Sequence, residues 1–319
     1  VTPNPTIKPT RHDATAGRAT LVVAPRGQDC LTPRAAQLYV SPVEILPKES
    51  HMPRLLLLAL LSMSFNASAI VIRDDVDDSR YRAPASEFPA LVDMPGEGHG
   101  VLIASQWVVT AAHAITWQSE IKQASINGVP RDVDHIVIHP GYKKPPHELL
   151  DQALATWDWT LFRALLSSSD DIALVRLAQP VTDVSPVAIN KSDEEFGQII
   201  KIMGKGATGN GVTGYEFGDS HRTELRRAYN KVTSAHGRWL CYMFDKPSEA
   251  LPLEGGSGSG DSGGPILVQA ERDWLLAGLT SWADPQSTIR TPGRYGQISC
   301  NVRLSHYKDW IESVTSAQP

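Results

Sequence analysis

Along most of the chain the apolar positions come in short, β-branched runs separated by Gly, Pro and Asn, not in long helical stripes. The runs are FPALVDM (88–94), HGVLIASQWVVTA (99–111), VDHIVIHP (133–140), DIALVRL (171–177), QIIKIMGKG (198–206), AYNKVTSA (228–235), GPILVQA (264–270) and WLLAGLTSWA (274–283). This spacing predicts an all-β sandwich or barrel and not strands alternating with helices. Two segments depart from it. Over 148–166, Leu150, Leu154, Trp157, Leu161 and Leu165 recur at intervals of 4-3-4-4, which puts them on one face of a helix and predicts local core for that face. The stretch YKDWIESV (307–314) reads as a closing helix. No repeat of fixed period is present.

Upstream of residue 70 the pattern changes. Residues 1–51 scatter Pro, Thr and Arg without periodicity and read as a disordered upstream extension, with Met52 as the true start. MPRLLLLALLSMSFNASA (52–69) then combines Arg54, an apolar run over 55–65 and an A-x-A pattern at Ala67 and Ala69. Such a run makes about 17 Å of helix against a hydrocarbon core of about 30 Å. It therefore reads as a secretory signal cut after Ala69, leaving a mature domain of 70–319, secreted or periplasmic, with no membrane contact. In that oxidising setting Cys241 and Cys300 suffice for one bridge.

Composition adds exclusions. With 41% apolar and 20% charged residues among 319, the chain is ordinary for a globular protein. Thirty-five acids against thirty bases give a net charge of −5, without a Lys/Arg run that would track a phosphate backbone, so no nucleic-acid partner is expected. HELLD (147–151) lacks the second histidine of a zinc helix, and DDVDD (74–78) lacks the glycine and distal glutamate of a calcium loop. No metal and no cofactor are expected.

The candidate chemistry lies in EGGSGSGDSGGP (254–265). Its composition is that of a linker, yet Asp261 and Pro265 lead straight into the apolar ILVQA. The glycines around Ser262 allow a tight bend and a close approach of N–H groups to a substrate oxygen. His113 ends the strand-like VVTAAHAIT, and Asp171, beside a competing Asp170, precedes IALVRL. Alone, such a histidine is usually structural and such an aspartate a turn former. GDSGG also satisfies the G-x-S-x-G nucleophile elbow, but there the acid and histidine follow the serine and a helix follows the turn. Here both precede Ser262, and only His306 would remain as a base downstream.

In the order His113, Asp171, Ser262, and with LIASQWVVTAAH (102–113), HPGY (139–142), GKGATGNG (204–211), LTSWA (279–283) and VRLSHYKDWI (302–311), residues 89–313 resemble the trypsin-like, chymotrypsin-fold serine peptidases, nearest to secreted bacterial members. The resemblance implies two six-stranded antiparallel β-barrels packed face to face, a short C-terminal helix, and a helical insertion before the catalytic Asp that could shape one wall of the cleft. It implies a secreted, monomeric serine endopeptidase acting on polypeptide substrates through an acyl-enzyme. Ser262 would be nucleophile, His113 base and Asp171 the acid that orients it, with the N–H groups of Gly260 and Ser262 as oxyanion hole. Ser281 would support the acid, its backbone pairing with substrate, beside Trp282 and Ala283. Gly256 would floor the primary pocket where Lys/Arg-cutting relatives carry Asp, so a small or medium apolar side chain is expected there. Ala283, in place of a wall glycine, would narrow the entrance, and Glu254 would be a neighbouring source of charge.

Departures from the family pattern carry further expectations. The cysteine after the histidine is Ala114, its partner position is Gly98, and the cysteine four before the nucleophile is Gly258. What the resemblance leaves is a bridge between Cys241 and Cys300. A cut after Ala69 would expose Ile70 and Val71, a pair that in the family reaches the acid here numbered Asp261. But IVIRDD lacks the following glycines and Pro89 lies far downstream, so an ordinary frayed start beside an otherwise satisfied Asp261 is expected. The alternatives are a catalytically idle or zymogen-like binding protein on the same fold, and an esterase using the same serine.

Overall fold

The computed structural model describes residues 70–116, 120–216, 224–284 and 291–317. The upstream extension and the export signal read from the sequence lie outside the described residues. The strands are β1 (Ile70–Ile72), β2 (Leu91–Asp93), β3 (His99–Ala104) and β4 (Trp107–Thr110), followed after the short helix α1 (Ala112–Thr116) by β5 (Gln123–Ile126) and β6 (Val129–Ile138). Two helices, α2 (His147–Thr156) and α3 (Thr160–Ser167), precede β7 (Ala173–Leu177), β8 (Ile199–Gly204), β9 (Thr208–Asn210), β10 (Arg226–His236) and β11 (Trp239–Met243). Then come β12 (Gly255–Gly256), β13 (Pro265–Ala270), β14 (Asp273–Ala283), β15 (Ile298–Arg303) and the closing helix α4 (Lys308–Ser316).

Two closed antiparallel barrels result, in the orders β2-β3-β4-β7-β6-β5 and β10-β11-β15-β14-β13-β8. Closure removes the open edges that short strands would otherwise expose. Strand β4 is buried along its whole length and pairs Val108 with Val175 and Val109 with Leu174 of β7. One continuous cluster of buried side chains runs from these residues into Met203, Leu267, Leu276 and Val302 of the second barrel, so the barrels share a packed face. A second cluster, with Ile200, Ile202, Val232 and Ile266, fills the second barrel.

The apolar run 99–111, which reads as one strand, is a hairpin. Polar Ser105 and Gln106 make its turn, and their carbonyls accept from Val181 and Leu177. The β5–β6 hairpin turns on Asn127 (φ 51°) and Gly128 (φ 78°), the two positive-φ residues that a tight two-residue loop requires.

The segment 148–166 is a correction. It is not one helix with a core face but a helical pair, broken where Trp157 caps α2 in the left-handed region (φ 56°) and Asp158 accepts a hydrogen bond from Thr160 N at 3.0 Å. Leu154 and Leu161 are 48% and 63% exposed, and Ala153 is the one buried residue of the pair, so this face is not local core. The start of the described domain also differs from expectation. Instead of fraying, Ile70 and Val71 are fully buried and β1 is a strand, parallel to β9 and antiparallel to β12 at Val71–Gly256.

Cys241 and Cys300 face one another in the β11–β15 register and are joined as a disulfide, with Cα atoms 4.2 Å apart. The bridge spans 59 residues of sequence, and its loss frees that loop in the unfolded chain. The Cys241→Ser, Cys300→Ser double variant is expected to lose about 2–4 kcal/mol of stability. Urea unfolding of the variant beside the oxidised wild type measures this, and equal midpoints would remove the assignment of a structural role.

Candidate active site

Ser262 sits on a turn that only glycines can make. Gly260 and Gly263 have φ of 85° and 75°, in the region L side chains avoid. A Cβ on Gly263 would lie 2.2 Å from the His99 carbonyl and 2.4 Å from the Thr110 hydroxyl, so any side chain there would push the first barrel off the turn. That closeness lets His99 N donate to the Ser262 carbonyl at 2.6 Å, fastening the serine turn to β3. The turn is closed by Gly264 N on Asp261 O and by Gly263 N on Thr280 O, both 2.8 Å. Among the described residues the N–H groups of Gly260 and Ser262 have no acceptor.

Beneath the turn, the fully buried Asp261 carboxylate accepts from Gly206 N at 2.7 Å and Gly258 N at 2.8 Å. His99 lies 3.9 Å from it through Nε2. That nitrogen accepts from Lys205 N at 3.2 Å, so the ring proton sits on Nδ1, which faces Asp93 at 3.2 Å. Burial opposes charge on Asp93, yet His99 and Lys205, the latter at 2.9 Å, hold its carboxyl well below the usual range.

His113 enters from α1, just past the buried strand β4. Its backbone N donates to Asp171 Oδ1 at 2.8 Å, its Nδ1 lies 2.6 Å from Asp171 Oδ2, and its Nε2 lies 2.7 Å from Ser262 Oγ. A carboxylate only accepts, so Nδ1 carries the proton and Nε2 offers its lone pair to the serine hydroxyl. Ser281 Oγ donates to Asp171 Oδ2 at 2.5 Å. The neighbouring Asp170 points elsewhere, bound by Tyr307 O–H at 2.8 Å and Arg238 Nε at 2.9 Å, which leaves Asp171 as the acid in the line. Burial works against charge on His113, but the charge and hydrogen bond of Asp171 outweigh it and raise the imidazole pKa.

The pocket residues are brought together in part. Gly256, in β12, has open space in front of it, with Tyr242 the nearest neighbour of a would-be Cβ at 3.9 Å. The Glu254 carboxylate is bound by the backbone at both oxygens. Its Oε1 accepts from Asp245 N and its Oε2 from Leu251 N, both at 2.7 Å, and burial raises its pKa. Ser281, Trp282 and Ala283 lie together on the wall of a cavity that also includes His113 and Asp171. Ala114 and Gly98 are adjacent, a Cβ on Gly98 falling 3.1 Å from that of Ala114, so both positions of the missing bridge have become small. The sequence reading missed the Asp93–His99–Lys205 support and the aromatic residues Trp159 and Phe162. The first was signalled by a histidine between glycines at the start of a buried strand.

Two closed six-stranded barrels that bring serine, histidine and aspartate into one hydrogen-bonded line are the architecture of a serine hydrolase. The trypsin family model matches residues 78–311. Among curated proteins the chain is 28% identical to trypsin II-P29 of Gallus gallus over 81% of this chain and 98% of the relative. It is 26% identical to the thrombin-like enzyme acutobin of Deinagkistrodon acutus, over 82% and 93%. It is 29% identical to transmembrane protease serine 11E of Mus musculus, over 67% and 48%. The chain belongs to the trypsin family of serine endopeptidases. These relatives are eukaryotic, so the expected kinship with bacterial members does not carry over.

A raised His113 pKa fixes the direction of the pH response. Below that pKa the imidazole is protonated and Nε2 has no lone pair for Ser262, so activity falls as pH drops through it. The acid limb of kcat/KM is expected above the ordinary imidazole value of about 6.5. Asp171→Asn removes the charge that raises it and is expected to shift the limb down and cut kcat roughly 10⁴-fold. A pH–rate profile of both enzymes reads this, and an unmoved limb would sink it.

Proposed function

We propose that the chain is a secreted endopeptidase that cuts polypeptides through an acyl-enzyme on Ser262. The observation that carries this is the Ser262 hydroxyl 2.7 Å from His113 Nε2, with the other ring nitrogen 2.6 Å from Asp171. In this reading His113 takes the hydroxyl proton as Ser262 Oγ bonds to the scissile carbonyl carbon, then passes that proton to the leaving amine as the C–N bond breaks. Water, deprotonated by the same nitrogen, then bonds to the acyl carbon; the bond from that carbon to Ser262 Oγ breaks, the proton passes from His113 Nε2 to Oγ, and the acid leaves. Asp171 holds the tautomer and offsets the charge of the imidazolium. The unengaged N–H groups of Gly260 and Ser262 receive the oxyanion, a preorganised arrangement worth roughly 10²–10³ in rate per donor.

Substrate would bind as an added strand. Residue pairing between β14 and β13 ends at Leu279–Pro265, while Trp282 and Ala283 pair with β15 alone, so the segment 281–283 has one side open toward the cleft. The residue at the cut would then place its side chain over Gly256. With no side chain at Gly256 to carry a charge, that pocket favours a small or medium apolar group. Export through the 52–69 segment accords with the disulfide in the domain.

Two measurements test the reading. Ser262→Ala is expected to lose fluorophosphonate labelling and about 10⁶ in kcat on an unstructured protein; equal labelling of both forms would remove Ser262 as nucleophile. Gly256→Asp has room for its Cβ and needs no unusual φ. It is expected to raise cleavage after Lys and Arg at least about tenfold relative to cleavage after Ala, read from the cut sites in a peptide mixture.

A further inference from the structure

A second Asp–His pair serves the nucleophile turn. Asp93 ends β2 and His99 begins β3, and the two are partners in the antiparallel register, so their side chains share a face. His99 is fully buried. Its Nδ1 faces Asp93 Oδ1 at 3.2 Å and its Nε2 accepts from Lys205 N at 3.2 Å, which fixes the ring proton on Nδ1. The Lys205 ammonium meets the other oxygen of Asp93 at 2.9 Å. Lys205 follows directly on β8 of the second barrel, and both its backbone and its side chain are held by the first.

What this hold secures is the next two residues. Gly206 N donates to Asp261 Oδ1 at 2.7 Å, and Ala207 N donates to the Ser259 carbonyl at 2.5 Å. A Cβ on Gly206 would lie 2.4 Å from the Ser259 oxygen, so the segment 205–207 lies close against the turn. A trans peptide unit is planar, with its C=O and N–H pointing opposite ways. The Ser259 carbonyl and the Gly260 N–H belong to one such unit, and the Asp261 carbonyl and the Ser262 N–H to another. Gly264 N anchors the Asp261 carbonyl from within the turn, at 2.8 Å. The Ser259 carbonyl is anchored from outside the turn, by Ala207, and the Gly260 N–H points away from that anchor. Its aim is therefore set by a segment that the Asp93–His99 pair locates.

Two features separate this arrangement from plain packing. The Lys205 and Asp93 side chains keep 24% and 22% of their surface exposed, and an ion pair so placed adds little to stability. Burial opposes charge on Asp93, yet His99 and Lys205 hold its carboxyl well below the usual range, so it stays charged wherever an imidazole base works. A charged acceptor binds the Nδ1 proton firmly and leaves Nε2 bare for Lys205 N. We infer that Asp93, His99 and Lys205 are positioning residues for the reaction, which hold the segment 205–207 so that the Ser259–Gly260 peptide turns its N–H toward the oxyanion. This rests on the peptidase reading given above, in which the Gly260 N–H receives that charge.

The test compares purified enzyme with Asp93→Ala, Lys205→Met and Lys205→Arg. Each is assayed for peptide cleavage and for binding of two inhibitors of one sequence: a peptide aldehyde, which adds to Ser262 and forms an oxyanion, and the corresponding peptide alcohol, which cannot. Losing an oxyanion donor outright costs roughly 10²–10³ in rate and misaiming it costs less, so Asp93→Ala is expected to lower kcat at least about tenfold with KM within about twofold. Aldehyde affinity is expected to fall by the same factor while the alcohol binds as before, a split that a general loosening of the site would not produce. Lys205→Met is expected to move in the same direction, and Lys205→Arg, which keeps the charge on Asp93, to stay within about threefold of the wild type. Urea unfolding identifies the variants that stay folded, and should Asp93→Ala not fold, the Lys205 variants, at a partly exposed side chain, decide alone. Folded variants with wild-type kcat, or with aldehyde and alcohol weakened alike, overturn this inference and leave the active wild type a peptidase. A wild type that neither takes a fluorophosphonate label nor cleaves overturns the peptidase reading, and this inference with it.

Discussion

Everything at this site depends on one carboxylate that both barrels share. Asp171 accepts from His113 N and faces His113 Nδ1, both from the first barrel, and accepts from Ser281 of β14 in the second. Hydrogen bonds to a charged, largely buried acceptor are stronger than neutral ones and costly to leave unmade. Parting the barrels would strand that charge. A second clasp, His99 N on the Ser262 carbonyl, does the same for the nucleophile turn. The reacting atoms are therefore aligned by the contacts that hold the two halves together, and the pKa of His113 follows from the first of them.

How much of this could be read in the sequence varies with how local the cause is. The order His113, Asp171, Ser262 and the glycines about the serine were legible because the turn admits no other residue, as the His99 carbonyl beside Gly263 makes plain. The barrels were legible as a class from short β-branched runs. Asn127-Gly128 between Ile126 and Val129 was a further hairpin signal, unused until the structure paired β5 with β6. The helical pair was misread because spacing alone does not register a break. Leu150, Leu154, Trp157, Leu161 and Leu165 keep helical intervals across a residue that leaves the helix, and Trp157 is a type seldom found at positive φ. The surroundings of Glu254 were not legible at all, because Asp245 N, nine residues upstream, and Leu251 N reach its two oxygens only in the folded chain.

The buried start of the described domain shows how a local departure from pattern is absorbed by tertiary structure. IVIRDD lacks the glycines that would let the chain bend freely, yet β1 fits between its neighbours because Gly255 of β12 carries no side chain. A Cβ on Gly255 would come within 2.5 Å of the Val71 carbonyl. The room that the segment needs is supplied by β12. Because Val71 pairs with Gly256, the same packing places the residue proposed as the floor of the primary pocket.

The contacts that hold the halves together also fix where the insertion lies. Arg163 Nε on Asp284 Oδ1 and the Trp239 indole N–H on the Ser167 carbonyl tie α3 to the second barrel, although the chain enters and leaves the insertion from the first. Gly256 leaves open space in front of it, with Tyr242 the nearest neighbour of a would-be Cβ at 3.9 Å. Under the proposed function such a floor would discriminate by size, where one methylene more or less is worth only about 1–3 kcal/mol. The chemistry would then be set by the line His113–Asp171–Ser262 where the barrels meet, and a weak primary preference would leave most of the selectivity to contacts made further along the substrate.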